Sequence, residues 1–198
     1  PFQQRLAIGD IDKYGPRGSG EFTFTNIEYI PVNYLRGELA ESWEVTSDPI
    51  GVIFYLREGV MWTGNDNIGM EPREFVADDV VYWTERYMNS PLKGDVLYVE
   101  KVYATDKYTV VVEFNEPSSA WAFRFLYGPR SGIAPRESVE APGGLANWKN
   151  QVGTGGFILT ESLPGSHITC ERNPNYWETA MIDGEEYQLP FVDKVVQP

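Results

Sequence analysis

Residues 152–177 read VGTGGFILTESLPGSHITCERNPNYW, a stretch that places two short strand-like segments on either side of a turn signal. The run at 157–160 is apolar and has the length of a buried strand, and the alternation at 167–171 is typical of a second strand. Pro164 and Gly165 between them supply strong turn chemistry. The stretch therefore predicts an antiparallel hairpin, with Trp177 largely buried at its end.

Three glycines, Gly153, Gly155 and Gly156, precede this hairpin. Glycine permits positive φ values and close backbone approaches that a residue with a Cβ resists. A phosphate-binding loop would lead into a helix and would be followed by Gly-Lys-Ser/Thr, whereas this turn leads into a predicted strand. We therefore interpret the glycine turn as structural.

Upstream, two segments predict regular structure. Residues 39–45 read LAESWEV and lead into a second predicted strand within 53–60, after a turn at 47–49. Residues 75–82 read FVADDVVY and open the clearest helix, 78–88. Its predicted buried face, at positions i, i+3, i+4 and i+7, consists of Val80, Trp83, Thr84 and Tyr87.

Other predicted elements are shorter. Residues 99–103 and 108–114 are expected to form a hairpin, and a short buried helix is expected to follow Ser118 or Ser119. The alternation at 21–25 is typical of a half-buried strand, with an edge strand or a disordered start as the alternative. The run at 189–196 predicts the beginning of a further strand.

The segments 39–45, 75–82 and 152–177 together resemble three ordered motifs of the extracytoplasmic solute-binding proteins of ABC importers, in the peptide- and nickel-binding family 5. The resemblance implies an α/β fold of the periplasmic-binding-protein-like type 2, present as a partial large lobe plus a small mixed α/β subdomain. It assigns residues 1–151 to the small mixed subdomain, with its first 38 or so poorly defined, and residues 152–198 to a partial large-lobe segment with the β-hairpin. Because family members are much longer, we expect a fragment without the N-terminal strand, the hinge and the second lobe.

The same resemblance implies recognition rather than catalysis. We expect the substrate-binding component of an ABC importer, capturing peptides or similar small-molecule ligands and presenting them to an ABC permease. The implied location is periplasmic, or extracytoplasmic as a membrane-anchored lipoprotein, and the implied state is a monomer. Two alternatives stay open: a non-transport ligand-sensing or chaperone-like binding module on the same fold, and a hydrolase that uses acidic residues.

Composition narrows the choice of partners. The 198 residues contain 16 Lys and Arg against 29 Asp and Glu, a net charge of -13 that argues against nucleic acid as a ligand. No apolar run approaches the ~20 residues of a membrane-spanning helix. Cys170 is the single cysteine, so the chain can form no intramolecular disulfide, and we expect it to be a small buried apolar residue.

Catalytic and metal-binding motifs are absent from the sequence. It contains neither Gly-x-Ser-x-Gly nor His-Glu-x-x-His, and no Cys/His spacing typical of a metal site. His167 is the single histidine and lies in the predicted hairpin, where we interpret it as a partly exposed strand residue. We therefore predict no enzyme activity, no cofactor and no metal site.

Three residues are candidates for ligand contact. Arg130 and Tyr127 flank Gly128-Pro129 after the short buried helix, and the resemblance places a Pro-Arg or aromatic pair of some family members at this point, facing the cleft. Arg130 can bind a carboxylate through two parallel hydrogen bonds. The alternative is a surface arginine paired with Glu137 or Glu140. Tyr98 is the third candidate, because it lies near a segment that carries an aromatic ligand contact in the family.

Overall fold

The computed structural model describes residues 2–25 and 29–198. Its strands are β1 (Ala7–Gly9), β2 (Leu35–Gly37), β3 (Ala40–Ser47), β4 (Ile50–Leu56), β5 (Met61–Trp62), β6 (Arg73–Glu74), β7 (Val99–Asp106), β8 (Thr109–Phe114), β9 (Phe157–Leu163), β10 (His167–Arg172), β11 (Thr179–Ile182), β12 (Glu185–Gln188) and β13 (Lys194–Gln197). The α-helices are α1 (Ile11–Tyr14), α2 (Ala77–Met88) and α3 (Arg136–Glu140), and a π-helical turn covers Phe123–Tyr127. Short 3-10 turns cover Val32–Tyr34, Asp66–Ile68, Lys93–Val96, Gly144–Ala146 and Trp148–Asn150.

Contacts within the chain define two compact units. The sheet unit comprises the described residues of 5–57 and 76–133, and the hairpin unit comprises 2–4, 58–75 and 134–198. The sequence-based division at 151/152 concerns lobes of a longer protein and stays a prediction; positions 1 and 26–28 of its first part lie outside the described residues.

The core of the sheet unit is a four-stranded antiparallel sheet in the order β3-β4-β8-β7. Alternation along β4 and β8 points one set of side chains inward, and Val52, Phe54, Val110 and Val112 are fully buried. β3 pairs with β4 and β7 pairs with β8, as the sequence predicts for both hairpins.

Helix α2 packs against β7 and β8. Of its predicted apolar face, Val80 and Thr84 are buried and Trp83 and Tyr87 are half-buried. Val76 at the N-cap has no side-chain acceptor, and the Asp79 carboxylate instead accepts the Val76 amide at 3.0 Å. The helix therefore begins within one residue of the predicted start. Of the two hydrogen bonds of a capping box, only the one from the N-cap amide to the Asp79 carboxylate is formed.

In the hairpin unit, β9 and β10 pair antiparallel, which confirms the hairpin predicted from residues 157–171. Gly165 in the turn has φ +74°, a conformation that glycine adopts at little cost. β13 adds a third strand beside β10. Trp177 is half-buried rather than largely buried, and its indole nitrogen donates to Oε1 of the buried Gln4 at 3.0 Å.

The glycine turn before β9 is a site of close backbone packing. A Cβ at Gly153 would lie 1.8 Å from the Phe2 carbonyl oxygen, so this position excludes every other residue type. The amide of Gly155 donates to the same oxygen at 3.0 Å. None of the three glycines has a positive φ, so close approach alone explains Gly153.

Three regions differ from the sequence-based expectations. Residues 21–25 form no strand: Phe24 has φ 53°, and its ring packs edge to face on Phe22 with centroids 4.9 Å apart. The β11–β12 hairpin was not predicted, since its exposed strands lack an apolar alternation. β13 begins at Lys194 rather than at 189, because Pro190 has no amide hydrogen for a ladder.

Candidate functional site

A cluster of charged and aromatic side chains lies within the sheet unit. Its members are Tyr87 on α2, Asp95 in the 3-10 turn Lys93–Val96, Tyr98 before β7, Arg124 in the π-helical turn and Arg130 just after that turn. We call this group the Asp95 cluster. It contains two of the three residues predicted from the sequence to contact a ligand.

The backbone around the π-helical turn fixes where Arg130 leaves the chain. Ser118 Oγ accepts the Ala120 amide at 3.2 Å ahead of the turn. The Gly128 amide donates to the Phe123 carbonyl at 2.9 Å, and a Cβ at Gly128 would lie 2.1 Å from that oxygen. The hydroxyl of Ser131 donates to the Gly128 carbonyl at 2.7 Å. These hydrogen bonds fix the backbone of the turn from which the Arg130 side chain extends.

Asp95 is the centre of the cluster because it accepts hydrogen bonds from three side chains. Its Oδ1 accepts from Arg124 Nη2 at 3.0 Å, and its Oδ2 accepts from Arg130 Nη1 at 2.8 Å and from Tyr87 Oη at 2.9 Å. Burial, followed by the bond to Asp95, raises the pKa of the Tyr87 hydroxyl. Tyr87 therefore stays protonated and acts as a donor.

Exposure differs strongly among the charged members. The side chains of Arg124 and Asp95 are 24% and 26% exposed, whereas that of Arg130 is 55% exposed. Two guanidinium groups face one carboxylate, so the charge is 2 − 1 = +1. Arg130 makes a single hydrogen bond to Asp95, and this geometry leaves part of its planar fork directed at solvent.

Two buried donors beside Asp95 have no acceptor among the described residues: Tyr98 Oη and Arg124 Nε. Tyr98 is only 7% exposed. Burial raises the pKa of its hydroxyl, and the positive charge of Arg124 acts in the opposite direction. A buried donor without a partner costs about 1–3 kcal/mol.

A cavity of about 20 Å³ adjoins the cluster and is lined in part by Tyr87, Arg124 and Arg130. Its volume is that of about one water molecule or one ligand oxygen. A larger open concavity, about 360 Å³, lies at the start of α2 beside the β7–β8 turn. Asp106 there accepts the Tyr108 amide at 2.8 Å, so that carboxylate serves the turn.

The three predicted contact residues have different environments. Arg130 is exposed but pairs with Asp95, not with Glu137 or Glu140, which face Arg73 and Arg136. Tyr98 is buried. Tyr127 is buried, and its Oη accepts the Ile30 amide at 3.0 Å. Ligand contact by these three residues stays a prediction.

Arg124 and Asp95 were not among the residues predicted from the sequence. Arg124 had one available signal, since it is the single charged residue in the apolar run 120–127. Asp95 had none, because an aspartate in a polar Gly-containing loop is typical of any turn. Only the tertiary structure brings them together across 29 positions of the chain.

His167 also forms a hydrogen-bonded group, at the end of the β9–β10 hairpin. Its Nε2 lies 2.9 Å from Glu161 Oε2, and its Nδ1 lies 2.9 Å from Ser166 Oγ. The bond to His167 holds the pKa of the Glu161 carboxyl below its usual range. The Ser166 amide, a possible oxyanion donor, is already bonded to the Leu163 carbonyl at 3.0 Å. We therefore assign the group to the stability of the turn.

Within the described ranges, no helix is long and apolar enough to cross a membrane. The same residues contain no group of three or more His, Cys, Asp or Glu side chains arranged to hold a metal ion.

The amino-acid sequence is similar to a known protein family and to several of its members. The family model "Bacterial extracellular solute-binding proteins, family 5 Middle" matches residues 35–197. The di/tripeptide-binding protein 3 of Pseudomonas aeruginosa is 30% identical over 162 residues, which cover 71% of this chain and 30% of that protein. The dipeptide-binding protein of Escherichia coli is 30% identical over 179 residues, covering 80% of this chain and 32% of that protein. The chain thus spans about 30% of the length of these relatives.

Solved structures share the fold at lower sequence identity. The periplasmic binding protein DppA from Helicobacter pylori, in complex with the peptide STSA, superposes with a TM-score of 0.69 at 22% identity, over 98% of this chain and 36% of that chain. NikA from Brucella suis, in complex with Fe(III)-EDTA, gives 0.66 at 21% identity, over 98% and 33%. These likenesses confirm the predicted α/β fold of the periplasmic-binding-protein type 2, present here in part.

Proposed function

Because this chain belongs to the bacterial extracellular solute-binding proteins of family 5, we propose that it is part of the substrate-binding component of an ABC importer. The complete protein captures peptides or comparable small solutes outside the cytoplasm and presents them to an ABC permease. It acts by recognition, as a monomer without catalysis, in the periplasm or as an extracytoplasmic lipoprotein.

The family match over residues 35–197 carries this proposal, supported by relatives whose names describe di- and tripeptide binding. The second support is the Asp95 cluster, which presents half of an arginine side chain to solvent from a hydrogen-bonded turn. We propose that Arg130 contacts the solute, that Tyr98 supports it from the buried side, and that Tyr127 takes part through its ring, since its hydroxyl is bonded to the backbone.

Calorimetric titration of the full-length protein tests the binding function. The ligands are di-, tri- and longer peptides, with free amino acids as the comparison set. Binding of at least one peptide class with a micromolar Kd, about 8 kcal/mol, is the expected result. A protein that binds no member of the panel would contradict the proposal.

Uptake measurements separate transport from sensing. Cells that lack the gene for the full-length protein should lose import of the peptide that binds in calorimetry, and the intact gene should restore it. Unchanged import together with tight binding would favour a sensing or chaperone-like role. Cleavage of the bound peptide during incubation would favour the hydrolase alternative.

A further inference from the structure

The β11–β12 hairpin carries apolar side chains on one face of a ribbon of two strands. Among the described residues, these strands pair only with each other. Tyr187 lies opposite Ala180, which is two positions from Ile182 on the same strand. Alternate residues of a strand point to the same face, so Ile182 and Tyr187 lie on one face. The Phe191 ring lies edge to face with that of Tyr187, with centroids 6.3 Å apart, and extends this surface.

We call Ile182, Tyr187 and Phe191 the β11–β12 face, and all three are open to solvent. Ile182 is 44% exposed, Tyr187 41% and Phe191 58%. Single exposed apolar residues are common, whereas a contiguous group rimmed by polar residues marks a binding surface. A hairpin of two strands is also only marginally stable in water unless something packs on it.

The hairpin is nevertheless fixed at both of its ends. Asp183 and Gly184 in the turn have φ 52° and 85°, and positive values at both positions belong to the two-residue turn that matches the twist of a hairpin. At the base, the Leu189 amide donates to the Glu178 carbonyl at 3.2 Å. The face is therefore built before any partner arrives, which lowers the entropy cost of binding.

The charge around this face identifies the kind of partner. Residues 178–193 contain five Asp and Glu and no Lys or Arg, so their charge is 0 − 5 = −5. The Tyr187 hydroxyl donates to Glu185 at 2.8 Å, and the Thr179 hydroxyl donates to Glu186 at 2.7 Å. Hydroxyl donors orient a carboxylate without neutralising it. The surface thus favours a cationic partner, and it would repel a second copy of itself or an anionic lipid surface.

We propose that the β11–β12 face is a docking surface for a basic amphipathic helix of a partner protein. Such a helix presents an apolar stripe flanked by Lys or Arg, which is complementary to an apolar face flanked by carboxylates. Its apolar side chains pack on Ile182, Tyr187 and Phe191, and its basic side chains lie beside Glu185 and Glu186. The surface is separate from the Asp95 cluster, and the inference does not rest on the proposed function.

A synthetic peptide of leucine and lysine, with its leucines on one side of a helix, is the probe. Its control is the same peptide with glutamate in place of lysine. Fluorescence anisotropy of each labelled peptide measures its binding to the full-length protein. We expect the lysine peptide to bind, and the glutamate peptide to bind about tenfold more weakly or less, because like charges repel.

Variants locate the binding on the protein. Ile182→Ser and Phe191→Ser should each weaken binding of the lysine peptide by about fivefold or more, because each removes exposed apolar contact area. Val45→Ser is the matched control, since Val45 on β3 is 59% exposed and lies outside the face. Glu185→Gln should weaken binding at low salt, and Glu140→Gln, at a side chain that is 61% exposed on α3, should not.

All of these positions are at the surface, so the variants should fold, and thermal melts check this. Equal binding of the two peptides would overturn the inference. So would binding that survives both Ile182→Ser and Phe191→Ser, because the net charge of -13 alone would then explain the attraction. A full-length protein that captures di- or tripeptides but does not bind the lysine peptide would refute the docking surface and leave the proposed function standing.

Discussion

Arg130 Nη1 donates to Asp95 Oδ2 across 2.8 Å, and this bond joins residues 35 positions apart in the sequence. The bond holds one edge of an arginine whose side chain is otherwise 55% exposed. An exposed ion pair of this kind contributes little to stability. Its effect is to orient the guanidinium, so we expect Arg130 to contribute to ligand binding rather than to stability.

Replacing Arg130 with alanine in the full-length protein should weaken binding of an anionic solute by about 1.5–3 kcal/mol, the scale of a charge-assisted hydrogen bond. Arg130→Lys should restore only part of the affinity, because lysine lacks the planar fork. The midpoint of thermal unfolding should stay within about 1 °C, since Asp95 retains its bonds from Arg124 and Tyr87.

Calorimetry combined with thermal melts checks this prediction, with Arg136→Ala as the control. If Arg130→Ala binds the solute as tightly as the control does, Arg130 is a surface residue without contact to the ligand.

The hydroxyl groups of Tyr98 and Tyr127 form a matched pair for a stability experiment. Both side chains are buried, but Tyr98 Oη has no partner among the described residues, whereas Tyr127 Oη accepts the Ile30 amide at 3.0 Å. Tyr98→Phe should therefore be neutral or stabilise the protein by up to about 1 kcal/mol. Tyr127→Phe leaves a buried amide unsatisfied and should cost about 1–3 kcal/mol.

Urea denaturation of the two variants gives both values. A loss above about 1 kcal/mol in Tyr98→Phe would mean that an ordered water molecule already satisfies the hydroxyl in the free protein.

The pH dependence of stability should include a contribution from Glu137. Arg73 binds its carboxylate through two bonds, Nε–Oε1 at 2.7 Å and Nη2–Oε2 at 2.9 Å, and these bonds lower the pKa of Glu137. The folded-state pKa lies below the unfolded value of about 4.3, so the stabilisation is complete above that pH. It is lost as the pH falls through the folded-state value.

Glu137→Gln should accordingly lower the free energy of unfolding at pH 7 by at most about 1 kcal/mol, because the Glu137 side chain is 37% exposed and screened by solvent. The difference from the native protein should vanish once the pH has fallen below the lowered folded-state pKa of Glu137. Glu140→Gln, whose partner Arg136 lies 3.8 Å away on an exposed surface, is the control and should have no effect. A deficit in Glu137→Gln that persists at low pH would assign its cause to packing.

Gly153 should tolerate no side chain. A Cβ at this position would lie 1.8 Å from the Phe2 carbonyl oxygen, which is backbone and cannot rotate away. We expect Gly153→Ala to lower the free energy of unfolding by about 3 kcal/mol or more. Gly94→Ala is the matched control: a Cβ there meets nothing within 4 Å, so the change should be close to neutral.

The comparison of midpoints in urea decides between these expectations. Similar midpoints for Gly153→Ala and Gly94→Ala would mean that the chain near Phe2 moves freely and that the glycine turn is not a packing constraint.

The sequence determined the elements whose information is local. A short apolar run, an alternating segment and the Pro-Gly turn between them specify β9 and β10, and a 3.6-residue apolar period specifies α2. Both hairpins of the four-stranded sheet follow from similar local patterns. Each of these signals lies within one short continuous segment of the chain, so it can be recognised without knowledge of distant residues. The resemblance of three such segments to family motifs was also sufficient to predict the family and the fold correctly.

Tertiary structure decided everything that depends on a distant partner. The alternation at 21–25 predicted a strand, yet without a partner strand Phe24 turns to φ 53° and packs on Phe22. The alternative to ligand contact was a surface Arg130 paired with Glu137 or Glu140, but its ion-pair partner is Asp95, because ion pairs form between side chains that folding brings together. A charge carries no information about which opposite charge it will meet. Burial, donor counts and excess charge at the Asp95 cluster therefore became visible only once the chain was folded.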